Sequence, residues 1–131
     1  MGFTLYWDDT LQNVLHYNFP ETWTWDDLAV MRKEVLAMIA DRAHPGPVYC
    51  IVNMSDTRIL PFGVIGRARA GIESRPKDVA HLYFVGMRAL HAGLIRTFQR
   101  IYPDLGRMLT LCETVDDARA RIREQISRSN L

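Results

Sequence analysis

The chain of 131 residues, 48% hydrophobic and 24% charged, has the composition of one ordinary globular domain, since division into several cores usually begins only above roughly 250 residues. Its formal net charge of +1 provides no general attraction for nucleic acid. The longest run without Asp, Glu, Lys or Arg, the 13 residues from Ala43 to Ser55, is shorter than the roughly 20 apolar residues a membrane span needs. Asp8 and Asp9 stand where a leader would carry basic residues, so no secretory signal is expected and a cytoplasmic location is the default.

Charge is uneven along the chain. Asp8, Asp9, Glu21, Asp26 and Asp27 meet no basic residue before Arg32, whereas nine basic residues between Arg58 and Arg107 face only Glu73, Asp78 and Asp104. A positive segment would steer an acidic partner. Arginines at helical spacing ordinarily form a solvated face, however, and nucleic acid is not expected as a partner.

Phe3 to Trp7 has the period of two of a half-covered strand, Asp8 to Asn13 is a polar turn, and Val14 to Phe19 gives a second strand. So short a turn predicts an antiparallel hairpin with the first strand at the sheet edge. Thr24 three residues before Asp27 is a capping-box variant, so a helix starts near Trp25. Its stripe is Trp25, Leu28, Ala29, Arg32, Val35, Leu36 and Ile39, and it ends by Ala43 and Pro45. Val48 to Val52 is continuously apolar, the mark of a central strand covered on both faces. A second helix is expected from Pro61, placed in its first turn, to Pro76, with Gly63, Gly66 and Gly71 permitting close packing. Val79 to Val85 reads as a buried strand, Ala89 to Tyr102 as a helix stopped by Pro103, and Met108 to Cys112 as the last strand. Thr114 to Asp117 repeats the capped start for a final helix. The order ββαβαβαβα predicts an α/β domain with a mostly parallel sheet. Its ligand or partner edge is expected at the carboxyl ends of the strands, at Pro20 to Trp25, Asn53 to Phe62, Gly86 to Ala89 and Glu113 to Val115.

Chemistry is sparse. His16, His44, His81 and His91 show no metal-ligand spacing, Cys50 and Cys112 sit singly in apolar runs, and no disulfide, metal or cofactor is expected. Gly63-Val64-Ile65-Gly66 lacks the lysine of a P-loop and reads as packing. No G-x-S-x-G elbow occurs, and no catalytic residue or enzymatic activity is assigned. The loop from Ser55 to Gly63 carries more information, because Leu60, Pro61 and Phe62 put apolar groups beside the polar Ser55, Asp56 and Thr57. Such an edge suits a protein contact. Of the two neighbouring indoles, Trp25 is expected in the core and Trp23 at the surface.

The element order, the opening hairpin, the capped helix at Thr24, the buried strand Val48 to Val52 and the loop entering a glycine-containing helix at Ile59 to Gly66 together resemble a STAS domain, the fold of anti-sigma-factor antagonists. The resemblance implies a mixed five-stranded sheet of order 1-3-2-4-5 with the first strand antiparallel and about four helices. It also implies regulation by a protein partner, such as an anti-sigma factor with kinase activity, and no enzymatic activity. The family's phosphoacceptor motif, D-S-S-G or D-T-S-G, corresponds to Leu60-Pro61-Phe62-Gly63, of which only the glycine matches. That departure argues against the serine switch, with Ser55 and Thr57 as substitute acceptors.

Three functions are therefore carried forward. The first is a regulatory module that binds protein through Ser55, Asp56, Thr57, Leu60, Pro61, Phe62 and Gly63. The second is a small-molecule or lipid sensor with its pocket between the Pro20 to Trp25 and Gly86 to Ala89 loops, Trp23 and Met87 supplying apolar surface and Arg88 an anion contact. A homodimer through the first-strand edge or a helix face is the third.

Overall fold

The chain begins with a tight hairpin. Strands β1 (Thr4–Trp7) and β2 (Val14–Asn18) pair antiparallel, with Trp7 opposite Leu15. The turn is closed by the Asp8 amide donating to the Val14 carbonyl at 2.8 Å. The Asp8 carboxylate accepts from the amides of Thr10 and Leu11, and Asn13 turns the chain with φ at 58°. The computed structural model describes residues 2–129.

After β2 every strand is parallel to the one before it. Helix α1 (Trp25–Ala40) leads to β3 (Val48–Asn53), α2 (Val64–Glu73) to β4 (Val79–Val85), and α3 (Ala89–Ile101) with the short α4 (Pro103–Gly106) to β5 (Leu109–Cys112). The last element is α5 (Val115–Ser129). Thr24 caps α1 as its spacing predicts, its hydroxyl accepting from the Asp27 amide at 3.1 Å while the Asp27 carboxylate accepts from the Thr24 amide at 2.9 Å. The second helix starts three residues later than Pro61, at Val64, after Gly63 turns the chain with φ at 76°. No helix among the described residues is long and apolar enough to cross a membrane.

The sheet order is β1-β2-β3-β4-β5, not 1-3-2-4-5. The local hairpin decides this, because β1 keeps its chain neighbour as partner and no other strand can enter between them. The consequence for the layers is large. Right-handed crossovers between consecutive neighbouring strands that always step the same way place every crossover helix on one side of the sheet. Accordingly Met31, Val35 and Ile39 of α1 pack with Leu15, Tyr17, Cys50 and Val52. Ile72 of α2 and Phe98 of α3 cluster with Leu82, Phe84 and Leu109 on the same side. The opposite face, with Val14, Tyr49, Ile51, Tyr83 and Val85, is covered by Ala118 and Ile122 of α5. β3 is central, as its apolar run requires, and Val48 through Val52 are all buried. Cys50 and Cys112 are both buried free thiols on opposite faces of the sheet.

Asp8 does more than close the turn. Its carboxylate, fully buried, lies 2.6 Å from His16 Nε2 and 2.8 Å from Arg119 of α5. Tyr6 stacks on the His16 ring with an interplanar angle of 3°. The acidic start and the arginine-bearing last helix thus meet across the second face.

Candidate functional site

A strand order that never reverses has no switch-point crevice, which is where open α/β sheets usually place their ligands. An apolar concavity lies elsewhere, between the first sheet face and the crossover helices. It is a cavity of about 420 Å³, within the roughly 300–1,000 Å³ typical of small-molecule sites. Tyr17, Val52, Leu82 and Phe84 form its floor; Leu28, Met31 and Val35 of α1 and Ile95 and Phe98 of α3 form two walls. Helix α2 closes the rest with Val64, Ile65, Ala68, Gly71 and Ile72. The small residues Ala68 and Gly71 explain the space, since their side chains are too short to fill the gap from helix to sheet.

Most polar groups in this wall are already engaged. The Cys50 thiol donates to the Tyr17 hydroxyl at 3.1 Å, and burial pushes both groups up, Cys50 to about 12. The Trp25 indole donates to the Phe62 carbonyl at 2.9 Å, with the Arg67 guanidinium 5.5 Å from the ring centroid. Arg32 Nη2 donates to the Gly71 carbonyl at 2.9 Å and the Ser74 hydroxyl at 2.6 Å. Arg75 Nη1 donates to the Ile72 carbonyl at 2.8 Å. Burial, reinforced by the charge of Arg88, lowers the His91 imidazole below its usual value and keeps it neutral near pH 7.

Five buried side-chain polar atoms among the described residues have no partner: Asn18 Oδ1, Trp23 Nε1, Arg42 Nε, Arg75 Nε and His91 Nδ1. Three of them, on Trp23, Arg75 and His91, belong to residues of the cavity wall. An unpaired buried donor or acceptor costs about 1–3 kcal/mol, so their concentration around one cavity separates it from the filled core.

The residues singled out in the sequence fall into two groups. Ser55 and Asp56 are exposed, Ser55 donating from its amide and hydroxyl to Asn53 Oδ1. Thr57 is fully buried, its hydroxyl donating to the Pro20 carbonyl at 2.9 Å, which removes it as a surface phosphoacceptor. Leu60 is half-buried and lines the cavity, and Pro61 is half-buried beside it. Phe62 is 99% exposed and Ile59 is 68% exposed. Gly63 is exposed in the left-handed conformation that ends the loop.

For the pocket residues the expectation needs correction. Trp23 is the buried indole, 8% exposed, and Trp25 is only half-buried. Trp23 stands edge-on to both Phe19 and Trp25, which is why it turns inward. Met87 lines the cavity, but Arg88 does not. Arg88 is exposed, and its Nε donates to the Thr57 carbonyl at 3.1 Å, tying the 86–89 loop to the 55–63 loop. The same two loops meet at Gly86, where φ is 72° and any Cβ would collide with Ser55. Trp23 and Trp25 of the 20–25 loop and helix start and Met87 of the 86–89 loop all line the cavity, which extends beneath the helices to Pro76 and Leu109. Arg32, Arg75 and His91 were not read as site residues. Arg32 left one signal, a charge within the apolar stripe of α1.

A second depression on the opposite face is polar, with His81, Tyr83, Thr110, Arg107, Arg121 and Arg128 around it. Its inner groups satisfy one another: His81 Nε2 lies 2.6 Å from Thr110 Oγ1, and the Tyr83 hydroxyl donates to Gln125 Oε1. No three His, Cys, Asp or Glu side chains converge as metal ligands among the described residues. No family model and no curated protein matches the sequence.

Proposed function

We propose that this domain is a binding module for an apolar small molecule, held between the sheet and helices α1, α2 and α3. The observation that carries this reading is the 420 Å³ cavity, whose wall is almost wholly hydrocarbon. An unfilled apolar pocket of that size, in an interior normally packed to crystal-like density, forfeits dispersion contacts along its lining. An apolar occupant restores them. Binding, with no chemical step, is the whole activity in this reading. Trp23 and Trp25 both line the cavity, so titration of the purified chain with 1-decanol should change tryptophan emission saturably. Blocking the space with Ala68→Phe should abolish the change while the far-ultraviolet circular dichroism persists. Saturable binding that survives Ala68→Phe would place the ligand elsewhere.

A second reading, regulation through a protein partner, is favoured by one observation. Phe62 presents its whole side chain to solvent, on the loop that the STAS resemblance marks as a regulatory surface. Both readings share that loop, because Leu60 points a side chain to the cavity two residues before Phe62 points outward.

A further inference from the structure

We infer that the cavity takes an anionic amphiphile, a carboxylate on an apolar body, with the carboxylate held by Arg32 and Arg75 at the carboxyl end of α2. This deepens the small-molecule reading and rests on it. Both arginines line the cavity. Neither lies within 4.0 Å of a carboxylate among the described residues, although eight other ion pairs of arginine are formed there. Among the described residues their side-chain hydrogen bonds run only to the neutral Gly71 and Ile72 carbonyls and the Ser74 hydroxyl, from one terminal nitrogen of each guanidinium. A guanidinium offers five N–H donors and stays charged throughout the accessible pH range. Arg75 Nε is buried and unpartnered.

Two permanent charges beside a hydrocarbon cavity, uncompensated by any neighbouring acid, call for an anion. Helix capping accounts for the bonds to the carbonyls, but it does not require either head to border the cavity or leave a buried donor unpaired. A carboxylate matches the guanidinium fork with paired charge-assisted bonds. The remaining cavity accepts only hydrocarbon. An alkylammonium would meet like charge, and a polar metabolite would lose its hydration without replacement.

The test compares three probes of equal chain length, decanoate, 1-decanol and decylammonium, titrated into the full chain at pH 8 and read by tryptophan emission. Decanoate should bind about ten-fold more tightly than decanol, as expected when one charge-assisted bond is added, and decylammonium should bind most weakly. Arg75→Met should erase the preference for decanoate over decanol. Arg32→Met should do the same, and because Arg32 also joins α1 to α2, its thermal melt is recorded alongside. Equal affinities for decanoate and decanol in the unmodified chain would overturn the carboxylate assignment and leave the apolar cavity as a binding site. A preference that persists in Arg75→Met and in folded Arg32→Met would overturn the placement of the anion. Failure of all three probes to bind would overturn the small-molecule reading itself, and this inference with it.

Discussion

The indole N–H of Trp25 donates to the carbonyl of Phe62 across 2.9 Å. One partner lines the cavity and the other belongs to the most exposed apolar side chain of the loop. This bond fixes the loop against the start of α1, and it gives an occupant of the cavity a physical route to the surface. Trp25→Phe keeps an aromatic wall and removes the donor. It should cost about 1 kcal/mol and accelerate amide exchange at residues 59–66 ahead of the rest of the chain. Exchange accelerated uniformly across the domain would show that the bond supports the whole fold instead of the loop.

Acid sensitivity should be concentrated at Asp8. Burial by itself would raise this carboxyl, but hydrogen bonds from His16, the Leu11 amide, Arg119 and the Thr10 amide outweigh burial and hold it well below the usual carboxylate range. A group depressed in the folded state stabilises the fold at neutral pH and loses that contribution as pH falls below the unfolded value of 3.8. Asp8→Asn should therefore lower stability at pH 7 by roughly 2–3 kcal/mol, the range for hydrogen bonds to a charged group. The difference from the unmodified chain should shrink as pH drops toward 3. Urea unfolding between pH 3 and 7 measures it, and a gap that stays constant with pH would refute the assignment.

Local signals in the sequence were sufficient for the elements and insufficient for the site. The Thr24 cap, the alternation in β1, and the apolar run of β3 act over a few residues, and the corresponding elements form where these patterns place them. Strand order depends on which neighbour each strand selects. There the hairpin, a local device, predicted the pairing of β1 correctly, while the order implied by family resemblance did not hold. The cavity was not legible for the same reason: a reversal of strand order would have opened a crevice at the strand ends, whereas consecutive order gathers three helices on one face. Trp23 and Trp25 exchanged their expected roles because Trp23 lies in the chain before the helix and Trp25 is the first helical residue, so their indoles point in different directions. No spacing rule specifies which one meets Phe19.

The two faces of the sheet should respond oppositely to changes in volume. Ile122, fully buried on the α5 side, fills its space, and Ile122→Ala should cost about 2–5 kcal/mol through lost burial and the void left behind. Ala68 faces the cavity. Ala68→Leu has room for its added carbons and should raise stability by about 1 kcal/mol, while weakening decanol binding. Chemical denaturation of both variants is the measurement. A loss above about 1 kcal/mol in Ala68→Leu, the penalty of overpacking a filled core, would mean that the space beneath α2 closes in solution.

Phe62 separates the two functional readings without disturbing the fold. Because its side chain is 99% exposed, Phe62→Asp should change stability by no more than about 0.5 kcal/mol. The Phe62 carbonyl that accepts from Trp25 belongs to the backbone and survives the substitution. Decanol affinity should therefore be retained if the cavity alone performs the function. If the loop is a protein contact, a charged group at its apolar centre desolvates poorly and should weaken the complex by ten-fold or more, a cost of about 1.4 kcal/mol or greater. Unmodified and Phe62→Asp chains used side by side as baits, with both checked for folding, test this directly. A partner retained equally by both chains would remove the 55–63 loop as its docking surface.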